Sequence, residues 1–129
     1  EFFREPRHFE LLAQELLPAL AARGIGLTRP LRAWSAGSSI GAEAYTLAMV
    51  LKGNGPGLDR VPLQIFATDP DGESLEQARR GHYGPAAADQ VPAPFLERWL
   101  QPSSNGYEVD SNLRACCTFA VHNVLCVCL

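Results

Sequence analysis

The sequence predicts an α/β domain built on parallel strands, and three observations carry that prediction. Apolar runs at residues 31–36 and 61–68 read as strands, and each is followed by a turn and then a helical pattern. The order strand, glycine-rich turn, helix, loop, strand, acidic turn, helix is a βαβα unit, which implies parallel strands joined by right-handed crossovers. The chain has 129 residues, 47% of them hydrophobic and 19% charged, which suits one domain that buries its core without disulfides or metals.

Each element has its own signal. Phe9, Leu12, Ala13, Leu16, Leu17 and Leu20 recur on one face of a helix. Pro6 suits its first turn, and Gly24 after Arg23 suits its C-terminal cap. Thr28 to Pro30 break the pattern. Residues 31–36 follow as a short strand, mostly buried, and Gly37-Ser38-Ser39-Ile40-Gly41 as a turn. Residues 42–52 are helical, with Tyr45, Ala48, Met49 and Leu51 available for packing, and residues 53–60 are a loop.

The second strand, Val61 to Thr68, ends in a nearly continuous apolar run of the kind found in sheets covered on both faces. Asp69-Pro70-Asp71-Gly72 then turns the chain. A helix runs to Arg80, closed by Gly81, with Glu76 and Arg80 spaced as an i,i+4 pair. Residues 84–94 are rich in Pro and Ala, and residues 95–100 carry a helical hint. The turn at Ser103-Ser104-Asn105-Gly106 favours a hairpin. Residues 107–109 and 117–121 read as short strands joined by a polar stretch at 110–114.

Composition excludes several classes. With 11 Lys+Arg against 14 Asp+Glu, the net charge of -3 argues against a protein built to grip nucleic acid. No apolar run reaches the roughly 18–20 residues that span a bilayer, so no membrane insertion is expected, and no signal segment opens the chain. Cys116, Cys117, Cys126 and Cys128 have neither zinc-ribbon spacing nor the spread of a disulfide framework. They read as buried, reduced thiols in strands, consistent with a cytoplasmic protein. His8, His82 and His122 share no metal-ligand spacing, so no metal is expected. From its ends, Glu1 without an initiator Met and an apolar run to Leu129, a piece of a longer polypeptide is expected.

Two turns carry chemistry. A strand that ends in a glycine turn and opens a helix lets the backbone approach a ligand and offers free N–H groups. A second strand ending in an acid adds carboxylate oxygens for ribose hydroxyls. Gly37 and Gly41 form the first turn, and Asp69 ends the second strand. The dinucleotide fingerprint is absent, and this looser turn suits S-adenosylmethionine, which has no pyrophosphate to cradle. A plain structural turn remains open on spacing alone. Gly37-Ser38-Ser39-Ile40-Gly41 also matches the G-x-S-x-G elbow of serine hydrolases, with Ser39 as nucleophile, His122 later in the chain, and Asp69 or Asp110 between them. Asp69 to Glu73 mimics the start of a calcium loop, but the required Gly and Glu positions hold Ser74 and Arg80.

The wording of the motifs is more specific. Trp34-Ser35-Ala36-Gly37-Ser38-Ser39-Ile40-Gly41-Ala42-Glu43-Ala44-Tyr45-Thr46-Leu47-Ala48-Met49 resembles the first motif, W-S-A-G-C-S-T-G-E-E-P-Y-S-L-A-M, of the CheR-type chemotaxis receptor methyltransferases. Ala67-Thr68-Asp69-Pro70-Asp71, Leu75 and Ala78 to Tyr83 resemble the family's A-T-D-I-D…L…A-R-x-G-x-Y. Phe2 to Glu5 resembles F-F-R-[DE], and His122 to Leu125 resembles H-N-L-L.

The resemblance implies a Rossmann-like class I S-adenosylmethionine-dependent methyltransferase fold, its parallel sheet incomplete here, with a small antiparallel β-subdomain. It divides the chain into an N-terminal helix (1–28), the first half of the cofactor domain (29–94), the hairpin region and return strand (95–123) and a truncated end (124–129). It implies S-adenosylmethionine as cofactor. It also implies methyl transfer to glutamate side chains in the cytoplasmic region of a chemoreceptor. Arg4 is expected at the cofactor's carboxylate end, Glu43 facing the cofactor, Asp69 on the ribose hydroxyls, and Asn123 with Val124 beside the adenine or ribose. Ala36, Gly37 and Gly41 complete the expected cofactor-binding set. No catalytic dyad is expected. Ile40, Ala42 and Ala44 stand where the family has Thr, Glu and Pro, and the family's F-D-x-I-x-C-R-N segment is absent. These departures motivate an alternative, a catalytically inactive cofactor-binding or interaction module of the same fold.

Overall fold

The computed structural model describes residues 1–25, 28–54 and 62–122. The first helical segment is α1 (Pro6–Leu11), a π-helical turn at Leu12–Leu16, and α2 (Leu17–Ala21). The π-turn has a physical cause. Pro18 has no N–H to offer the Gln14 carbonyl, and its ring crowds that oxygen, so the preceding turn widens. The widened turn rotates the apolar face. Leu17 is buried, whereas Leu16, expected on the same face, is 52% exposed. Gly24 adopts φ +83°, as its capping role requires.

Three parallel strands form the main sheet in the order β1 (Leu31–Ala36), β2 (Leu63–Asp69), β6 (Cys117–Val121). Helices α3 (Ala42–Asn54) and α4 (Gly72–Arg80) connect them. Both crossovers step the same way across the sheet, so right-handedness places both helices on one face. There Tyr45, Ala48, Met49, Leu51, Leu75 and Ala78 are all at most 2% exposed, packed with Ile65 and Ala67 of β2.

The expectation of a sheet covered on both faces does not hold among the described residues. Trp34 is 58% exposed and Phe66 48%, so β1 alternates rather than being mostly buried. Helix α3 also runs two residues into the expected loop, through Gly53 and Asn54.

Asp71 caps α4, accepting from the backbone N–H of Glu73 at 3.1 Å, and Gly81 closes it at φ +66°. The ion pair on this helix joins Glu76 to Arg79, not to Arg80. Arg79 is held there because its other guanidinium nitrogen donates to the Phe119 carbonyl at 2.8 Å.

Short helices α5 (Ala87–Gln90) and α6 (Ala93–Trp99) occupy the Pro/Ala-rich stretch and the region of the helical hint. A small antiparallel sheet has the order β3 (His82–Tyr83), β5 (Gly106–Val109), β4 (Leu100–Ser103). Strands β4 and β5 are the expected hairpin, with Asn105 at φ +66° in its turn. Its third strand comes from His82 and Tyr83, ahead of residue 95. Helix α7 (Ser111–Arg114), capped by Asp110, then leads into β6. Cys116 and Cys117 are free and partly buried, and burial pushes the Cys117 thiol up to about 12. Cys126 and Cys128 lie outside the described residues.

Candidate functional site

The β1–α3 turn adopts left-handed backbone at alternate residues: Gly37 (φ +71°), Ser39 (φ +50°) and Gly41 (φ +92°). Two of the three are glycines, the residue that reaches this region without a Cβ penalty. Gly41 has a second reason. A Cβ there would sit 2.7 Å from Ala78 Cβ and 3.1 Å from the Tyr83 hydroxyl, so only glycine lets the turn settle on α4. Gly37 is the opposite case. Among the described residues a Cβ there meets nothing within 4 Å, so its backbone is open on that side to them.

Side chains from distant segments brace this turn. Asp69 Oδ2 accepts from the Ser39 N–H at 2.9 Å, and Oδ1 accepts from the Asp71 N–H at 2.9 Å. The Ser38 N–H donates to the Thr68 carbonyl at 2.9 Å. The Tyr83 hydroxyl donates to the Ile40 carbonyl at 2.6 Å. Burial, the largest cause, raises the Tyr83 phenol well above its usual value, so it stays protonated and donates.

The N-terminal segment closes over the turn. The Phe2 N–H donates to Gln90 Oε1 at 2.9 Å, and the Phe3 N–H to Thr46 Oγ1 at 3.1 Å. The Phe2 ring meets Tyr83 edge-on at 4.8 Å, and Phe3 packs on Phe95 at 5.5 Å. These contacts hold Phe3 and Glu5 at φ +54° and +56°, on either side of Arg4.

Between segment and turn lies a cavity of about 250 Å³, lined among others by Arg4, Gly37, Ser39, Ile40, Glu43 and Thr46. It brings a guanidinium and a carboxylate to one space beside glycine backbone. Glu43 is directed by Ser35, whose hydroxyl donates to Glu43 Oε1 at 2.8 Å.

Of the expected residues, Arg4, Gly37 and Glu43 line this cavity. Gly41 is buried beneath the turn against Ala78 and Tyr83. Ala36 lies exposed at the end of β1, paired in register with Thr68. Asp69 meets the turn through Ser39. Each of its oxygens accepts one backbone bond and keeps capacity for another acceptor contact. Asn123 and Val124 lie outside the described residues.

Phe3, Phe9 and Thr46 also line the cavity without being expected there. Thr46 sits one turn past Ala42 on α3, whose carbonyl it bonds at 2.7 Å, and that spacing was the available signal. Among the described residues no group of His, Cys, Asp and Glu is placed to hold a metal ion. No hydrogen bond joins Ser39 to His122, whose backbone N–H goes to the Asp69 carbonyl.

Parallel strands whose C-terminal ends carry a glycine turn and an acid, next to a charged cavity, define an α/β domain of the nucleoside-ligand-binding class. The chain belongs to the CheR methyltransferase SAM-binding domain family, whose model matches residues 1–127. Membership makes S-adenosylmethionine the cofactor of this domain and identifies the fold as Rossmann-like.

The chain is 38% identical over 128 residues to chemotaxis protein methyltransferase 2 of Pseudomonas aeruginosa, covering 96% of this chain and 44% of that protein. It is 37% identical over 110 residues to the chemotaxis protein methyltransferase of Escherichia coli, covering 83% of this chain and 34% of that one. An uncharacterized 104.1 kDa protein of Rhodobacter capsulatus is 38% identical over 126 residues, 96% of this chain and 13% of that protein. The chain thus spans less than half the length of each of these relatives.

The residues present fit the cofactor. Arg4 and Glu43 offer opposite charges for a zwitterionic amino-acid end, and the open backbone at Gly37 leaves room beside them. Asp69 offers the acceptor capacity that two ribose hydroxyls need.

Proposed function

We propose that this chain is the cofactor-binding part of a protein-glutamate O-methyltransferase that methylates glutamate side chains in the cytoplasmic region of chemoreceptors. The observation that carries the reading is the cavity itself, where the F-F-R-E segment and the W-S-A-G motif meet although they are some thirty residues apart. In this reading residues 29–94 supply the first half of the cofactor domain and residues 95–123 the hairpin region and return strand. Residues 1–28 lead in with the N-terminal helix, and residues 124–129 lie outside the described residues.

When bound, S-adenosylmethionine supplies a methyl group already activated by its sulfonium. A glutamate acceptor is ionised at pH 7 and needs no general base. The protein's work is therefore alignment and exclusion of water, each a source of rate without a catalytic dyad. Arg4 takes the ligand's carboxylate, and Glu43 faces its cationic amino group. Asp69 accepts the ribose hydroxyls while holding the glycine turn. Ala36, Gly37 and Gly41 shape the backbone of that turn; Asn123 and Val124, expected from the resemblance at the adenine or ribose, lie outside the described residues.

The test is calorimetry with S-adenosylhomocysteine on the protein and on Asp69→Ala. Saturable binding that weakens at least tenfold in the variant is expected, because both acceptor oxygens are lost. Equal heats would remove the assigned ribose site. Ile40 and Ala42, which line the cavity where the family has Thr and Glu, favour a second reading. In it the fold binds cofactor without turnover. Methyl transfer to a receptor fragment by the longer parent polypeptide would exclude that reading.

A further inference from the structure

We infer that Ser35 is a positioning residue for cofactor binding, holding the Glu43 carboxylate in the cavity where the cationic amino group of the ligand arrives. The inference rests on the cofactor reading above and extends it to a residue outside the cavity lining.

Ser35 is 1% exposed, on the core face of β1 among apolar neighbours. A hydroxyl there needs a partner, because an unpaired polar group in the core is costly. Its partner is Glu43 Oε1, 2.8 Å away and eight residues on, across the glycine turn. Glu43 itself is exposed, in the first turn of α3. A glutamate in that position is free to sample many rotamers in water, and fixing it costs side-chain entropy. The hydrogen bond from a buried, immobile donor meets that cost before a ligand arrives. One carboxylate oxygen is thereby anchored, and the other keeps its acceptor capacity.

The cavity places Arg4 with Glu43. Among the described residues neither joins an ion pair. A fixed anion and a cation in one cavity complement the two ends of an α-amino acid, so the loss on removing Ser35 depends on whether the ligand carries that group.

The experiment titrates the protein and its Ser35→Ala variant with S-adenosylhomocysteine and with 5′-methylthioadenosine, which keeps the nucleoside but lacks the amino-acid end. Ser35→Ala is expected to weaken S-adenosylhomocysteine about five- to tenfold, the scale of one typical hydrogen bond, since Glu43 is exposed to solvent. 5′-Methylthioadenosine is expected to bind both forms within about twofold. Glu43→Ala, which removes the carboxylate itself, is expected to give a ligand-selective loss at least as large. Ser35→Ala added to Glu43→Ala is expected to cost nothing more. Three results overturn the inference: unchanged S-adenosylhomocysteine binding in Ser35→Ala, equal losses for both ligands, or additive losses in the double variant. An unaltered protein that binds neither ligand overturns the cofactor reading itself, and this inference with it.

Discussion

Tyr83 ties the small sheet to the cofactor turn, and removing its hydroxyl separates stability from binding. The phenol donates to the Ile40 carbonyl at 2.6 Å, and its ring packs against Phe2. Tyr83→Phe keeps the ring and deletes only the bond. A buried neutral hydrogen bond contributes about 1 kcal/mol, and a carbonyl left dry raises the cost toward about 3 kcal/mol. A loss of about 1–2 kcal/mol is therefore expected, which lowers the melting temperature by about 3–10 °C for a chain of this size.

Tyr45 is the natural control. Its hydroxyl donates to the Ala78 carbonyl, also at 2.6 Å, from a fully buried site on α3; the bond from Tyr45 to the turn is made by its backbone N–H to the Gly41 carbonyl, which Tyr45→Phe leaves in place. Urea unfolding of both variants is expected to give similar shifts in midpoint with unchanged slopes. S-adenosylhomocysteine titration is expected to separate them. Tyr83→Phe weakens binding about three- to fivefold because Ile40 lines the cavity, and Tyr45→Phe stays within about twofold. Equal effects of the two variants on binding would refute the idea that Tyr83 organises the turn.

Further expectations concern the turn, the α4 cap and the thiols. Gly41→Ala combines left-handed strain of about 1–2 kcal/mol with overpacking of about 1–3 kcal/mol against Ala78, and urea unfolding reads the sum. A midpoint shift below the equivalent of about 1 kcal/mol would show that the turn relaxes freely. The Asp71 carboxyl is held below its ordinary 3.8, chiefly by the hydrogen bond from Ser74 and then by the Glu73 N–H. Its contribution is therefore present above that value and lost as pH falls through the lowered one, so Asp71→Asn is expected to flatten the acid limb of stability below about pH 4. Burial holds the Cys117 thiol at about 12, so this residue is protonated at pH 8 and is expected to react with a thiol reagent only on unfolding. Rapid labelling of the native protein at Cys117 would contradict its packing.

Much of the fold was legible because local signals and tertiary structure agree. The bounds of β1 and β6 match the apolar runs, since in both the local pattern agrees with the parallel pairing to β2. Asp71 and Gly81 mark the ends of α4 for reasons local to the backbone. The π-turn was not legible in the apolar face, because Pro18 acts on the turn before it rather than on its own position. Strand β3 is too short to have a period, and only pairing with β5 makes His82 and Tyr83 a strand.

The candidate site divides the same way. The strand–turn–helix pattern marked Gly37 and Asp69, and motif wording added Arg4 and Glu43. Only the tertiary structure decided which of them share a cavity. The N-terminal segment returns over the β1–α3 turn because Phe2 and Phe3 bury their rings and bond Gln90 and Thr46, contacts spanning 88 and 43 positions. Likewise, hydropathy pointed to a sheet covered on both faces. Two right-handed crossovers stepping in one direction put both helices on one side, and among the described residues Trp34 and Phe66 are exposed on the other. Pattern along a chain reports what each residue prefers, and only handedness and long-range packing determine which neighbours satisfy it.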